Sequence, residues 1–297
     1  MSIDTRDTRP RTSPGHASRR PTSFTLVLVW FLVVLVLAAS AAGLFVDGVY
    51  TGPGSTAATL RAWDLVHVVL VVPALVLVTG SAGRGSVLGQ LSLAGLGAYV
   101  VYTYAYYLFG TGFNDLFLFH VAVFGTALWL LVLTLVSLDA DELANRFGMK
   151  TPVRVVGSIL ALLAVSLGGL WVYWALDNAV TGDVPAGSRL VETDLVVHLG
   201  MALDLALLVP LYAAAAVLLW RRMPWGFVLA VLALLPGILH QLTYLVAMPF
   251  QVAADVPGAV GTDPAEPVIV LLYLAAGILL LLGLRHAPTG RADDTAP

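Results

Sequence analysis

The sequence predicts an all-α integral membrane protein: eight transmembrane helices in two tandem, parallel four-helix repeats (helices 1–4 and 5–8), with both termini cytoplasmic. Three observations carry this expectation. Of 297 residues, 59% are hydrophobic and only 11% charged, with mean hydropathy +0.91; a soluble domain carries about a quarter charged residues. Eight apolar stretches each reach the roughly 20 residues that span a bilayer, and lipid, which offers backbone amides no partner, makes each a helix. The chain also matches itself at an offset of 130 to 137 residues.

The stretches lie near 24–46, 61–80, 87–109, 116–138, 153–176, 193–220, 226–250 and 267–284. The first follows a basic segment and runs through AASAAG to Val46, too long for the core of a cleaved signal. Residues 1–23 read as a disordered basic tail, 24–138 as the first repeat and 139–152 as a cytoplasmic connector. Residues 153–285 read as the second repeat and 286–297 as a disordered tail. Within the connector, DADELANRF suggests a short helix capped by an aspartate. Thirteen of the 15 Lys and Arg side chains fall on the side of the termini, leaving only Arg61 and Arg189 opposite. The opposite loops instead carry acids such as Asp47, Asp115, Asp183 and Glu192. The positive-inside rule therefore places both termini in the cytoplasm and the protein in the cytoplasmic membrane. Arginine outnumbers lysine fourteen to one in an Ala-, Val- and Leu-rich chain, pointing to a GC-rich bacterial genome.

The repeat is read from polar landmarks, since Leu and Val coincide by chance in such a chain. Asp47 meets Asp177 and Asp64-Leu65-Val66 meets Asp194-Leu195-Val196 at the shorter offset. Val72-Pro73 meets Val209-Pro210, Arg84 meets Arg221 and Tyr107 meets Tyr244 at the longer one. The extra seven residues are about two helical turns, so they lengthen helix 6 while nearly keeping its face. An even number of spans per copy predicts a pseudo-two-fold axis along the membrane normal.

Polar residues inside the spans cluster toward the outer face. Asp64 and His67 share one helix face, as do Asp194 and His198. Such pairs suit a proton relay, whereas an Asp at a helix start is equally a cap for free amides. Asp204 lies about ten residues into its helix, too deep to cap it, and must face the bundle interior, a water-filled cavity, or be protonated. At the longer offset Asp204 matches His67, so the two could pair across the axis. Pro73, Pro210 and Pro236 are candidate helix breaks, the first two at matching positions, as in transporters whose broken helices flank a site. His240 and Tyr244 follow Pro236 on one face. In YTYAYYLFGTGFNDLFLFH, residues 102–120, Tyr104, Tyr106 and Tyr107 suit an interfacial belt, and Asn114 or Asp115 a helix cap. Tyr102, Tyr106 and His120 are expected to face inward as a site wall.

There is no cysteine, which excludes disulfides, thiolate metal sites and covalent c-type haem attachment. No metalloprotease, phosphate-loop or nucleophile-elbow motif occurs, so nothing marks an enzyme. The general plan is similar to that of haem A synthase-type proteins, which fuse two four-helix halves carrying histidines. Their Glu-x-x-His-Arg pattern is absent; Asp64-Leu-Val-His67-Val stands nearby, and the histidines do not repeat, so that family is not assigned. The leading expectation is a transporter-like or small-ligand- or proton-binding protein with no cofactor. Its partners would be the lipid bilayer and a small molecule or ion, not nucleic acid. The alternatives are a haem- or metal-binding redox protein, with His67 and His120 as ligands, and a non-catalytic scaffold or assembly factor.

Overall fold

The computed structural model describes residues 21–185 and 187–284. The expected terminal tails lie outside these, apart from residues 21–23. Helix α1 (Ser23–Phe45) begins where the Thr22 hydroxyl accepts from the Thr25 amide at 3.1 Å. Helix α2 (Gly54–Val66) passes through a π-turn, His67–Val71, into α3 (Val72–Gly83). Ser86 caps α4 (Val87–Phe109), and α5 (Phe117–Ser137) follows a short turn. Asp139 caps the short connector helix α6 (Ala140–Asn145), as the sequence predicts. Helix α7 (Val153–Thr181) ends at Gly182, whose φ of 79° is a left-handed stop. Thr193 caps α8 (Asp194–Leu203), which runs through a second π-turn, Asp204–Leu208, into α9 (Val209–Trp220). Helices α10 (Pro224–Ala253) and α11 (Glu266–Leu282) complete the described chain. Among the described residues there is no strand beyond one isolated bridge, Phe147 to Leu284.

Six rods are long and apolar enough to cross a membrane: Ser23–Phe45, Gly54–Gly83, Phe117–Ser137, Val153–Thr181, Asp194–Trp220 and Pro224–Ala253. Apolar side chains lie exposed along them, from Val27 and Val34 on α1 to Leu162 and Val165 on α7. These features mark a multi-pass membrane protein. Helix α11 is shorter, at 17 residues. Helix α4 has the length but is diluted by glycine and tyrosine, and it packs against α3, α5, α8 and α10. A helix surrounded by protein does not need an apolar circumference.

Two apolar cores form. One joins α1 to α5 with the later half of α10, through Leu32, Leu75, Leu96 and Met248. The other joins the start of α4, the connector, α7 and α9 to α11, through Leu143, Leu160, Leu219 and Phe227. The connector is fastened at the basic end of the bundle: the Arg222 guanidinium donates to the carbonyls of Met149 and Thr151 at 2.8 and 3.0 Å. The opposite, acidic end carries the start of α2 and α8 and the close of α4 and α10, and there the polar side chains gather.

Two expectations are corrected by helix boundaries. Helix α2 starts at Gly54 after Pro53, so Asp64 sits ten residues inside it and caps nothing. Pro73 and Pro210 do not break their rods: each follows a five-residue π-turn, closed by Val72 N–H on the His67 carbonyl and Val209 N–H on the Asp204 carbonyl. The wider turn makes room for the proline ring where an α-turn would clash with it. Pro236 lies within the unbroken α10.

Candidate functional site

Two polar clusters occupy the acidic end. The first is inside the α1–α5 unit. Asp64 is 1% exposed, and its carboxylate accepts from the Tyr50 hydroxyl at 2.5 Å and the Tyr107 hydroxyl at 3.0 Å. Gly43 makes this possible, since a Cβ there would overlap the carboxylate and the Tyr50 hydroxyl. Burial, then the Asp64 charge, pushes the Tyr50 phenol well above its ordinary range, so Tyr50 stays a donor. His67 and His120 are 0% and 1% exposed, and among the described residues none of their four ring nitrogens has a hydrogen-bond partner. Tyr104 lies between them, its ring centroid 5.3 Å from His67 and 5.8 Å from His120. Tyr107 packs against both as well, and Tyr99 and Tyr50 close the sides.

The second cluster lies where the two units meet. Asp204 opens the second π-turn, so its side chain leaves the rod at a widened turn. Its carboxylate accepts from the Tyr102 hydroxyl of α4 at 2.7 Å and the Trp171 indole N–H of α7 at 2.9 Å. The Tyr102 and Tyr106 hydroxyls are 3.1 Å apart. His240 of α10 sits edge-on to Tyr102, with ring centroids at 5.1 Å, and reaches toward Trp63 at 6.5 Å. Asp204, Trp171, Tyr106, His240 and Trp63 border a cavity of ≈ 90 Å³, which Tyr244 and Glu192 also line. A smaller void lined by Thr56, Thr59 and Thr111 adjoins it and shares Trp63, Tyr106 and Glu192. The two together lead from the acidic end down to Asp204.

A loop roofs the cavity. Ser188 donates to Glu192 at 2.8 Å, and the Arg189 amide donates to the Tyr244 hydroxyl at 3.2 Å; that hydroxyl in turn donates to Asp263 at 2.9 Å. Gln251, 1% exposed, holds the loop by accepting from Val191 N–H at 2.9 Å and donating to the Val191 carbonyl at 3.0 Å. The same amide donates to Thr59 Oγ1 at 2.9 Å, tying α10, α2 and the roof together. Burial pushes the Glu192 carboxyl up to about 7, against the hydrogen bond from Ser188 that lowers it.

No protein-family model, curated protein or solved structure matches this chain.

Of the residues singled out from sequence, the structure gathers Asp204, His240, Tyr244, Tyr102 and Tyr106 at the junction. It gathers Asp64, His67 and His120 in the α1–α5 unit instead. The His67–Asp204 pair is not formed, because α4 and α10 fill the junction and Asp204 is engaged by Tyr102 and Trp171. Asp64 does not orient His67 either; its partners are tyrosines. Asp194 and His198 are exposed on α8, away from both clusters, and Thr193 does the capping. The tyrosine belt is overturned as well: Tyr104 and Tyr107 are 0% and 1% exposed, because α4 is central. Asn114, not Asp115, holds the turn before α5, accepting from Leu116 N–H at 3.0 Å. Sequence reasoning passed over Trp63, Trp171, Glu192 and Gln251. A glutamine near the end of an apolar run was the one available signal for the last.

Among the described residues, no three His, Asp or Glu side chains are placed to hold a metal ion. His67 and His120 could supply two nitrogen ligands of such a set, fewer than a structural site uses.

Proposed function

We propose that the chain is a transporter-like membrane protein that binds a small ligand or a proton at the junction of two four-helix repeats, in the outer half of the bilayer. The observation that carries this is Asp204. It is a buried carboxylate, held by donors from two other helices, beside a cavity that reaches toward the acidic end. Ionisable groups at such depth are costly to keep, and a roofed polar cavity gives this one a use.

The repeat reading is supported by the two π-turns, which open at His67 and Asp204 and both close before Val-Pro. Matching helix contacts support it too: α1 packs on α5 as α7 packs on α11, with α4 against α10 between them. Eight spans, with α4 and α11 as the two beyond the long apolar six, and cytoplasmic termini follow from the charge asymmetry. The test is thermal unfolding of the protein in nanodiscs against a panel of small solutes, with proton flux into proteoliposomes read by an internal pH dye. Solutes that stabilise wild type by several degrees, or a flux, each lost in Asp204→Asn, would support the reading. Silence in both assays would leave a scaffold or assembly factor.

One observation favours a second reading, a cofactor protein. Buried imidazoles are ordinarily hydrogen-bonded, and His67 and His120 are not. With Tyr104 and Tyr107 packed against both rings, the pair suits a small ion better than a haem plane. An oxidised and reduced absorption spectrum with elemental analysis decides it: a Soret band or stoichiometric metal supports a cofactor, and a colourless, metal-free protein removes it.

A further inference from the structure

We infer that the junction cavity selects small organic or inorganic monovalent cations, of ammonium to primary-alkylamine size, with Asp204 as counter-ion and Glu192 at the mouth. This rests on the junction being a ligand site and names the class of ligand.

Charge gives the first argument. Asp204 receives two hydrogen bonds, one on each carboxylate oxygen, from Tyr102 and Trp171. Among the described residues no Lys or Arg side chain forms an ion pair with it, nor does one line the cavity. An ionised carboxylate in that setting calls for a compensating positive charge. The neighbouring His240, though it lines the cavity, forms no ion pair with Asp204 either. The second argument is the wall. Trp63, Tyr106, Trp171 and Tyr244 line the same space, and an aromatic ring attracts a cation that settles over its face. Glu192, on the roof, adds a second acidic group along the path.

Size gives the third. A cavity of ≈ 90 Å³ holds a few water molecules, or one ion with an alkyl group of a few carbons. It is too small for a drug-sized amine, whose pockets run to roughly 300 Å³ or more. Gly200 sets one limit: a Cβ there would lie 3.0 Å from the Tyr106 hydroxyl, so the wall has no slack on that side.

The test titrates methylammonium chloride into the full chain in nanodiscs and follows tryptophan fluorescence, because Trp63 and Trp171 border the cavity. Sodium chloride at equal ionic strength, sodium acetate and acetamide serve as charge controls. Expected is a saturable change with methylammonium alone, weakened at least tenfold in Asp204→Asn and about threefold in Glu192→Gln. Trp171→Phe should remove much of the signal. Because Asp204→Asn could misfold, each variant's melting curve is compared with wild type, and Glu192→Gln, on the loop, gives an independent answer. Saturable binding of acetamide or acetate, lost in Asp204→Asn, would overturn the cation class while leaving the junction a ligand site. A methylammonium response that survives in both Asp204→Asn and Glu192→Gln, or no response to any solute in wild type, would overturn both.

Discussion

Asp64 and Asp204 are chemically the same group at the same end of the bundle, yet they sit in different worlds. Asp64 is held entirely within α1–α5, by Tyr50 from the preceding loop and Tyr107 from α4. Its surroundings are rings packed against rings, and a glycine on α1 is needed to admit the carboxylate at all. Asp204 is held from outside its own helix by residues of both units, and one side of it meets open space. A buried acid with every neighbour in place is a fastener. A buried acid beside a cavity is available to a ligand.

The sharpest way to break this contrast is to remove each carboxylate. Asp64→Ala should cost about 3–5 kcal/mol, because two tyrosine hydroxyls lose their acceptor where water cannot follow. Asp204→Ala should cost only about 1–2 kcal/mol, because water in the cavity can serve Tyr102 and Trp171. Fluorescence-detected unfolding in one detergent measures both, and equal losses would erase the distinction. Next in size is Gly43→Ala, expected to destabilise by about 2 kcal/mol through overpacking against Asp64 and Tyr50. Tyr102→Phe should cost about 1 kcal/mol, and should reduce any Asp204-dependent ligand affinity more than it reduces stability.

A smaller effect concerns pH. The Glu192 carboxyl is raised by burial to about 7, so the folded protein holds that proton more tightly than the unfolded chain. The resulting stabilisation is fully present below the ordinary carboxylate value of 4.5 and is lost as pH rises through about 7. Melting temperature should therefore decline across that window in wild type, and the decline should flatten in Glu192→Gln. Smallest of all is Arg61→Ala. It deletes the Arg61–Asp47 pair, 3.1 Å apart with Asp47 fully exposed, and should change stability by less than about 1 kcal/mol.

The membrane class and the helical rods were legible because long apolar runs have one physical solution in lipid. Observed limits such as Val87–Phe109 and Phe117–Ser137 fall within a residue of those read from sequence. What stayed hidden was rotation and neighbourhood. Tyr104 and Tyr107 looked like a belt because tyrosine suits an interface, and sequence does not say that α5 and α10 flank α4. A clue was present nonetheless. At 100° per residue, Tyr99, Tyr102, Tyr104, Tyr106 and Tyr107 spread over about 200° of the α4 circumference, a wide hydroxyl-bearing arc that calls for protein rather than lipid against it. His67 and Asp204 were paired on sequence register alone, but positions that align when the chain is matched against itself need not face each other. Trp171 was invisible as a partner of Asp204 because nothing along α7 marks which turn meets the second π-turn.

Gln251 has a consequence for the order in which this molecule is made. One side-chain amide joins residues 59, 191 and 251, so the roof over the cavity has nothing to close against until the third of these has been synthesised. Chains are translated from the amino end, and earlier units fold while later ones are still awaited. The Tyr50–Asp64–Tyr107 cluster, drawn wholly from α1–α5, can therefore form while the junction is still a ragged edge. A closed roof is then a property of the finished polypeptide, and a truncated or stalled chain has no way to imitate it.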